Sequence, residues 1–265
     1  MPVSHPRTPP SLDVPSPVLV PLLPTLVSCS FKGGSWKTSI AVACAERLAY
    51  AGRHVLLLSA DPQRDARQRL GIKGTQSGPI KIDRGSGSIT VATATEDLVL
   101  DVLYRRGPEA AGLGKIGLII VDMPPTENGV ALPGVFMVVP LVDHNAVVNA
   151  VKVLVQSPAN SSVLLVRCDA SDEVVWNHNA ESIEKASRRS VDWVADPVPR
   201  AEPVKNAHAE GKSIWLLPRR HNTRKFQDMI DHVSELFWGK FCKDEFPKMP
   251  VLQVSDVYIP GWSRE

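Results

Sequence analysis

Cysteine is scarce in this chain of 265 residues, and the four present, Cys29, Cys44, Cys168 and Cys242, are widely separated with no C-x-x-C pair. That spacing speaks against a disulfide framework, an iron–sulfur site or a zinc site, and it predicts a cytoplasmic setting. Long apolar runs are missing too. None approaches the roughly 20 residues that a membrane span needs, and the stretch from Val14 to Val27 is broken by prolines. Neither a signal peptide nor a membrane anchor is expected. A charge excess is also lacking: 30 basic against 28 acidic residues leave a formal charge of +2. The overall charge therefore implies no nucleic-acid or membrane partner, and any such partner has to be read by a local patch. The seven histidines show no ligand spacing and none is assigned a role.

Proline is abundant and unevenly placed, with eight of the 23 within the first 24 residues. Missing N–H groups and a fixed φ prevent regular structure there, so residues 1–24 are expected to form a mobile, partly polyproline leader. From Leu26 onward, short apolar runs alternate with amphipathic stretches. "TLVSCS", "HVLLLSA", "KIGLIIVDM", "PGVFMVVPL" and "SSVLLVRCD" read as buried strands, with helices over Lys37 to Ala51, ended by Gly52, and Asn145 to Gln156. Continuous apolar strands separated by helices predict a doubly wound α/β fold, a mostly parallel sheet with helices on both faces. Gly71 to Ser88 is rich in glycine and serine and reads as an exposed loop or short hairpin. Phe226, Met229, Ile230, Val233, Leu236 and Phe237 recur at helical spacing and read as core. The length suits one large domain, placed over 25–241, with 242–265 as an extended tail.

The chemistry concentrates after the first strand. A phosphate site at a strand-to-helix junction needs several backbone N–H groups facing one concavity, and glycine permits that turn. Gly33 and Gly34 meet the need, Lys37 supplies a point charge, and the Thr38 hydroxyl is placed for Mg²⁺. The usual G-x-x-x-x-G-K-[ST] pattern fails at Phe31 and Trp36.

The stretch "KGGSWKTS" instead resembles the deviant Walker A motif KGGxxK[ST] of the ParA/MinD family of ATPases, the P-loop NTPase fold, and the likeness runs from Thr25 to Phe241. It implies a nucleotide-contacting run of Gly33, Gly34, Ser35, Trp36, Lys37, Thr38 and Ser39, with Ser39 at the α-phosphate. Lys32 would reach the phosphates of a partner subunit across a dimer. Most relatives have glycine where this chain has Trp36. A residue with a Cβ is expected to fit there with a negative φ and its indole turned out of the loop. "HVLLLSADPQ" is similar to the family's D-x-D-P-Q strand, with Asp61 orienting the attacking water and Ser59 replacing the earlier aspartate. "LIIVDMPP" resembles its Walker B segment, with Asp122 on the Mg²⁺ side and a switch-like loop from Pro124 and Pro125. "VPRAEPVKNAHAEGKSI" looks like a further shared segment. Arg167 stands where many relatives carry an asparagine that reads adenine.

Arg188 and Arg189 read as a solvated pair. Arg219, Arg220, Arg224 and Lys225 place four cations within seven residues, enough to neutralise phosphates without reading bases. The resemblance implies an ATP- and Mg²⁺-dependent homodimer in which Lys32, Lys37 and Asp61 are catalytic and Thr38 and Asp122 hold the metal. It also implies non-specific DNA binding through that cluster, a ParB-like or other adaptor partner, no membrane partner, and a cytoplasmic, nucleoid-associated protein acting in plasmid or chromosome partition. Trp36 and Ser59 point to slow hydrolysis. Two alternatives stay open: a non-hydrolysing nucleotide-binding adaptor, and a MinD-like positioning ATPase, although "VSDVYIPGWSRE" is a poor membrane helix.

Overall fold

A computed structural model describes residues 18–31, 34, 36–61, 65–74, 77–125, 132–168, 181–189, 191–193, 198, 201–250 and 252. Residues 1–17 of the leader, Lys32, Gly33, Ser35 and the end of the tail lie outside them. The chain runs from β1 (Thr25–Ser28) into α1 (Lys37–Tyr50) and back along β2 (His54–Ser59). A short α2 (Asp65–Arg69) precedes β3 (Ile80–Arg84) and β4 (Gly87–Thr93). Next come α3 (Glu96–Leu100), continued by a π turn over Asp101–Arg105, then α4 (Gly107–Ala110) and β5 (Leu118–Asp122). They are followed by β6 (Phe136–Leu141), α5 (His144–Gln156) and β7 (Ser162–Arg167). Residues 181–187 form α6. Then β8 (Asp192–Trp193), α7 (Glu202–Ala209) and a long α8 (His221–Phe241) complete the described chain.

Among the described residues the strands make one sheet in the order β3-β4-β2-β5-β1-β6-β7-β8, parallel throughout except for β3. Alternation along each strand divides the core in two. Leu57, Ile120, Val138 and Leu164 pack with α1 and α8 on one face. Leu58, Val121, Val139 and Leu165 pack on the other, with Val99 of α3, Ala150 of α5 and Ile183 of α6. This is the doubly wound arrangement that the continuous apolar runs predict.

Residues 71–88 open as a loop and continue as the hairpin that their composition allows: β3 pairs antiparallel with β4, which itself lies inside the sheet, paired to β2 on its other side. Close approach requires glycine at its start, since a Cβ on Gly87 would sit 2.2 Å from the Ala49 carbonyl oxygen. Arg84 of β3 is buried and its Nε donates to Oε1 of buried Glu46 on α1 at 3.1 Å, while Ser213 Oγ donates to Oε2 at 2.9 Å. Arg189 is likewise no solvated residue: its guanidinium donates to the carbonyls of Leu154, Ser157 and Ser161, closing the end of α5.

Every residue of α1 is buried. Small Ala41, Ala43, Ala45 and Ala49 let it lie between the sheet and α8, whose Phe226, Ile230, Val233 and Phe237 are fully enclosed as their spacing predicts. Arg47 of α1 also holds the chain beyond α8. Its Nε donates to Asp231, Nη2 donates to the Pro247 carbonyl at 2.7 Å, and the guanidinium lies 4.4 Å from the Phe246 ring centre. Arg53 stacks 4.3 Å over Trp238, whose Nε1 donates to the Asp244 carbonyl at 2.9 Å. At the other end, the Leu22 N–H donates to the Leu103 carbonyl at 2.8 Å. No helix among the described residues is long and apolar enough to cross a membrane.

Candidate functional site

The register of the sheet brings three strand ends to one level: Asp122 of β5 pairs with Ser28 of β1 on one side and Ser59 of β2 on the other. The carboxyl edge of such a sheet is where ligands bind in open α/β folds. Opposite it stands the first turn of α1, with Lys37, Thr38 and Ser39 buried. Ser28 Oγ donates to the Lys37 carbonyl at 3.0 Å, tying that turn to β1. Thr38 Oγ1 donates to Asp122 Oδ1 at 3.2 Å, and Asp122 Oδ2 is buried with no hydrogen-bond partner.

Burial dominates the electrostatics. It lowers the Lys37 pKa against the opposing pull of Asp122, Asp61 and Cys29. It raises Asp122 from 3.8 to about 7, opposed by the Thr38 hydroxyl and the Lys37 charge and assisted by Asp61. Asp61 thus lies close enough for its charge to act on both. A pKa above the unfolded value means that the folded protein binds the extra proton between the two values. Stability from protonated Asp122 is full below its unfolded pKa and is lost as pH rises through about 7. Urea midpoints of the nucleotide-free protein should therefore fall between about pH 4 and pH 7, and Asp122→Asn should flatten that fall. Equal slopes for the two proteins would contradict the assignment.

Trp36 departs from expectation. Its φ is +68°, the left-handed conformation that glycine adopts at little cost, and Gly34 has φ +71°. The indole does not point out of the loop: it is buried, 5.2 Å between ring centres from Phe226 of α8, with Lys205 Nζ of α7 5.0 Å from its own centre. Backbone geometry required by the loop overrides the preference of a side chain with a Cβ. Packing on α8 holds it there.

The oxygens of Thr38 and Asp122 fit a hard cation. Mg²⁺ keeps several waters and takes one or two protein ligands plus phosphate oxygens, and the unpartnered Asp122 oxygen beside a hydroxyl is such a donor set. Among the described residues no group of three or more His, Cys, Asp or Glu could hold a metal by itself. Ser59 is buried and its Oγ has no partner. Arg167 ends β7 and is buried. The basic cluster lies elsewhere, around the start of α8, where Arg219 and Arg224 both meet Asp228. Sequence reasoning missed Arg69 of α2, which donates to the Ser39 hydroxyl, and His208 of α7, which lies against Arg69. Neither stands in a motif, and only the packing of three helices brings them together.

A strand, a glycine-bearing loop, a helix opening on Lys-Thr and a strand-end aspartate against that threonine define a P-loop phosphate-binding protein. Residues 26–214 match the CobQ/CobB/MinD/ParA nucleotide binding domain. The chain belongs to that family. It is 34% identical over 98 residues to the cell division protein PomZ of Myxococcus xanthus (strain DK1622), a match spanning 37% of this chain and 25% of that protein. Its fold is shared with Cyanothece McdA in complex with ATP, at TM-score 0.58 and 16% identity over 82% of this chain and 96% of the other. It is shared equally with the septum site-determining protein MinD of Pyrococcus horikoshii OT3 complexed with Mg-ADP, at TM-score 0.58 and 16% identity, covering 83% and 99% of the two chains.

Proposed function

We propose that this protein is a ParA-type ATPase that dimerises around Mg²⁺-ATP and acts as a nucleotide-timed switch on DNA in plasmid or chromosome partition. The observation that carries the reading is the buried contact of Thr38 with Asp122 beside Lys37 at the sheet edge. Gly33 and Gly34 supply N–H groups to the phosphates, and Lys37 places its charge against them. Asp61 accepts a hydrogen bond from a water and aims it in line at the γ-phosphorus. The P–O bond to the β-phosphate breaks, and ADP and inorganic phosphate leave. Thr38 and Asp122 hold Mg²⁺, which when bound neutralises charge on the β- and γ-phosphate oxygens. Residues 25–241 form the ATPase unit, flanked by the leader 1–24 and the tail 242–265. The protein is assigned to the cytoplasm and, while it holds ATP, to the nucleoid, with a ParB-like or other adaptor as partner.

Lys32 acts in trans in this reading. Sedimentation should show a dimer with Mg²⁺-ATP and a monomer with ADP, and Lys32→Ala should abolish the shift. Equal sedimentation with both nucleotides would overturn it.

The start of α8 supports the DNA contact. Its first turn holds no acidic residue and its N-cap, Arg220, makes no side-chain bond to the helix. Asp228 meets Arg219 and Arg224, and the first turn adds no further acidic residue to the cluster. Phosphate contacts predict sequence-independent binding that weakens steeply with salt. Replacing Arg219 and Arg220 together by glutamate should remove most DNA binding and leave nucleotide affinity intact. Wild-type DNA binding by that variant would make the cluster a solvated face.

A further inference from the structure

Arg69, the last residue of α2, brings a second cation to the nucleotide loop. Its Nη1 donates to the Ser39 hydroxyl at 2.8 Å and lies 3.5 Å from Nδ1 of His208 on α7. Ser39 belongs to the first turn of α1, whose N–H groups lack intrahelical acceptors and face an anion.

The guanidinium rests on a fixed platform. The ends of α2 and α7 meet at a glycine contact, where a Cβ on Gly211 would come within 2.5 Å of Gly71 Cα and 3.0 Å of the Gln68 carbonyl oxygen. His208 is almost fully enclosed, and burial, followed by the Arg69 charge, lowers its pKa to about 3. It therefore stays neutral at ordinary pH and offers Nδ1 as an acceptor, where a charged imidazole would repel the guanidinium. Arg69 meets the loop at Ser39, one residue beyond the Thr38 hydroxyl that faces Asp122.

We propose that Arg69 binds, from within the same chain, a phosphate common to ADP and ATP; this rests on the nucleotide reading given above. A pre-positioned guanidinium loses little freedom on meeting a phosphate, so it contributes to ground-state affinity.

Calorimetry on the full chain with Mg²⁺-ADP and Mg²⁺-ATP, for wild type, Arg69→Ala, Arg69→Lys and Arg69→Gln, tests it. Arg69→Ala should weaken both nucleotides by a similar factor of about ten- to a hundredfold, the loss expected on removing a hydrogen bond to a charged group. Arg69→Lys should recover part of it and Arg69→Gln little, because the contact needs charge. Unchanged affinity in Arg69→Ala, a loss confined to ATP, or full recovery in Arg69→Gln would each overturn the proposal while leaving the ATPase reading in place. Absence of nucleotide binding by the wild type would overturn both.

Discussion

Asp61→Ala should bind Mg²⁺-ATP and dimerise as the wild type does, while turnover falls by about 10²-fold or more, the scale of general-base assistance. The residue lies past the end of β2, outside the strand ladder, and is half-buried, so its removal leaves the sheet intact. Its negative charge raises the proton affinity of Asp122. Removing that charge eases ionisation of Asp122, so metal binding should not suffer. The loss is therefore confined to the step at which a water must be aimed. Single-turnover phosphate release, read beside sedimentation with ATP, separates the steps. Unchanged turnover would remove Asp61 from the mechanism, and loss of dimerisation would make it a binding residue.

Trp36→Gly should lower stability by about 2–4 kcal/mol while keeping nucleotide affinity. Two effects oppose each other. Glycine relieves a left-handed backbone, worth about 1–2 kcal/mol. Truncating a buried tryptophan costs about 3–5 kcal/mol, and contact with Phe226 and Lys205 sets this one at the upper end. Packing wins. Because glycine adopts the same φ, the loop N–H groups keep their direction and hydrolysis should be equal or faster. Denaturant unfolding and calorimetry read the two halves separately. An unchanged midpoint would deny the indole its place in the core. ATP binding that appears only in Trp36→Gly would show a damaged loop and favour the non-hydrolysing adaptor.

The layered sheet was legible in the sequence because strands buried on both faces are written as unbroken apolar runs, such as Leu118 to Val121. The Lys37, Thr38 and Asp122 positions were legible because a short turn and a strand end hold them. What escaped depends on distant packing. β4 reads "GSITVAT", with serine and threonine among its apolar residues, and it is enclosed by β2 and β3 on its two sides and by α1 across one face. The α3 to α4 region follows no single period, since a π turn interrupts it. The left-handed Trp36 was unreadable for a similar reason: the residue that stabilises it, Phe226, lies far along the chain, on the face of α8 that the periodicity marks as buried.

One consequence of the Arg47 contacts concerns cooperativity. A single buried guanidinium of the phosphate-loop helix is shared between α8 and the carbonyl of Pro247, and Arg53 ties the same region to Trp238 and Asp244. The chain at 242–247 is therefore tied by side chains to the helix that carries Lys37, and amide exchange through α8 and α1 should report one unfolding unit with the nucleotide loop inside it.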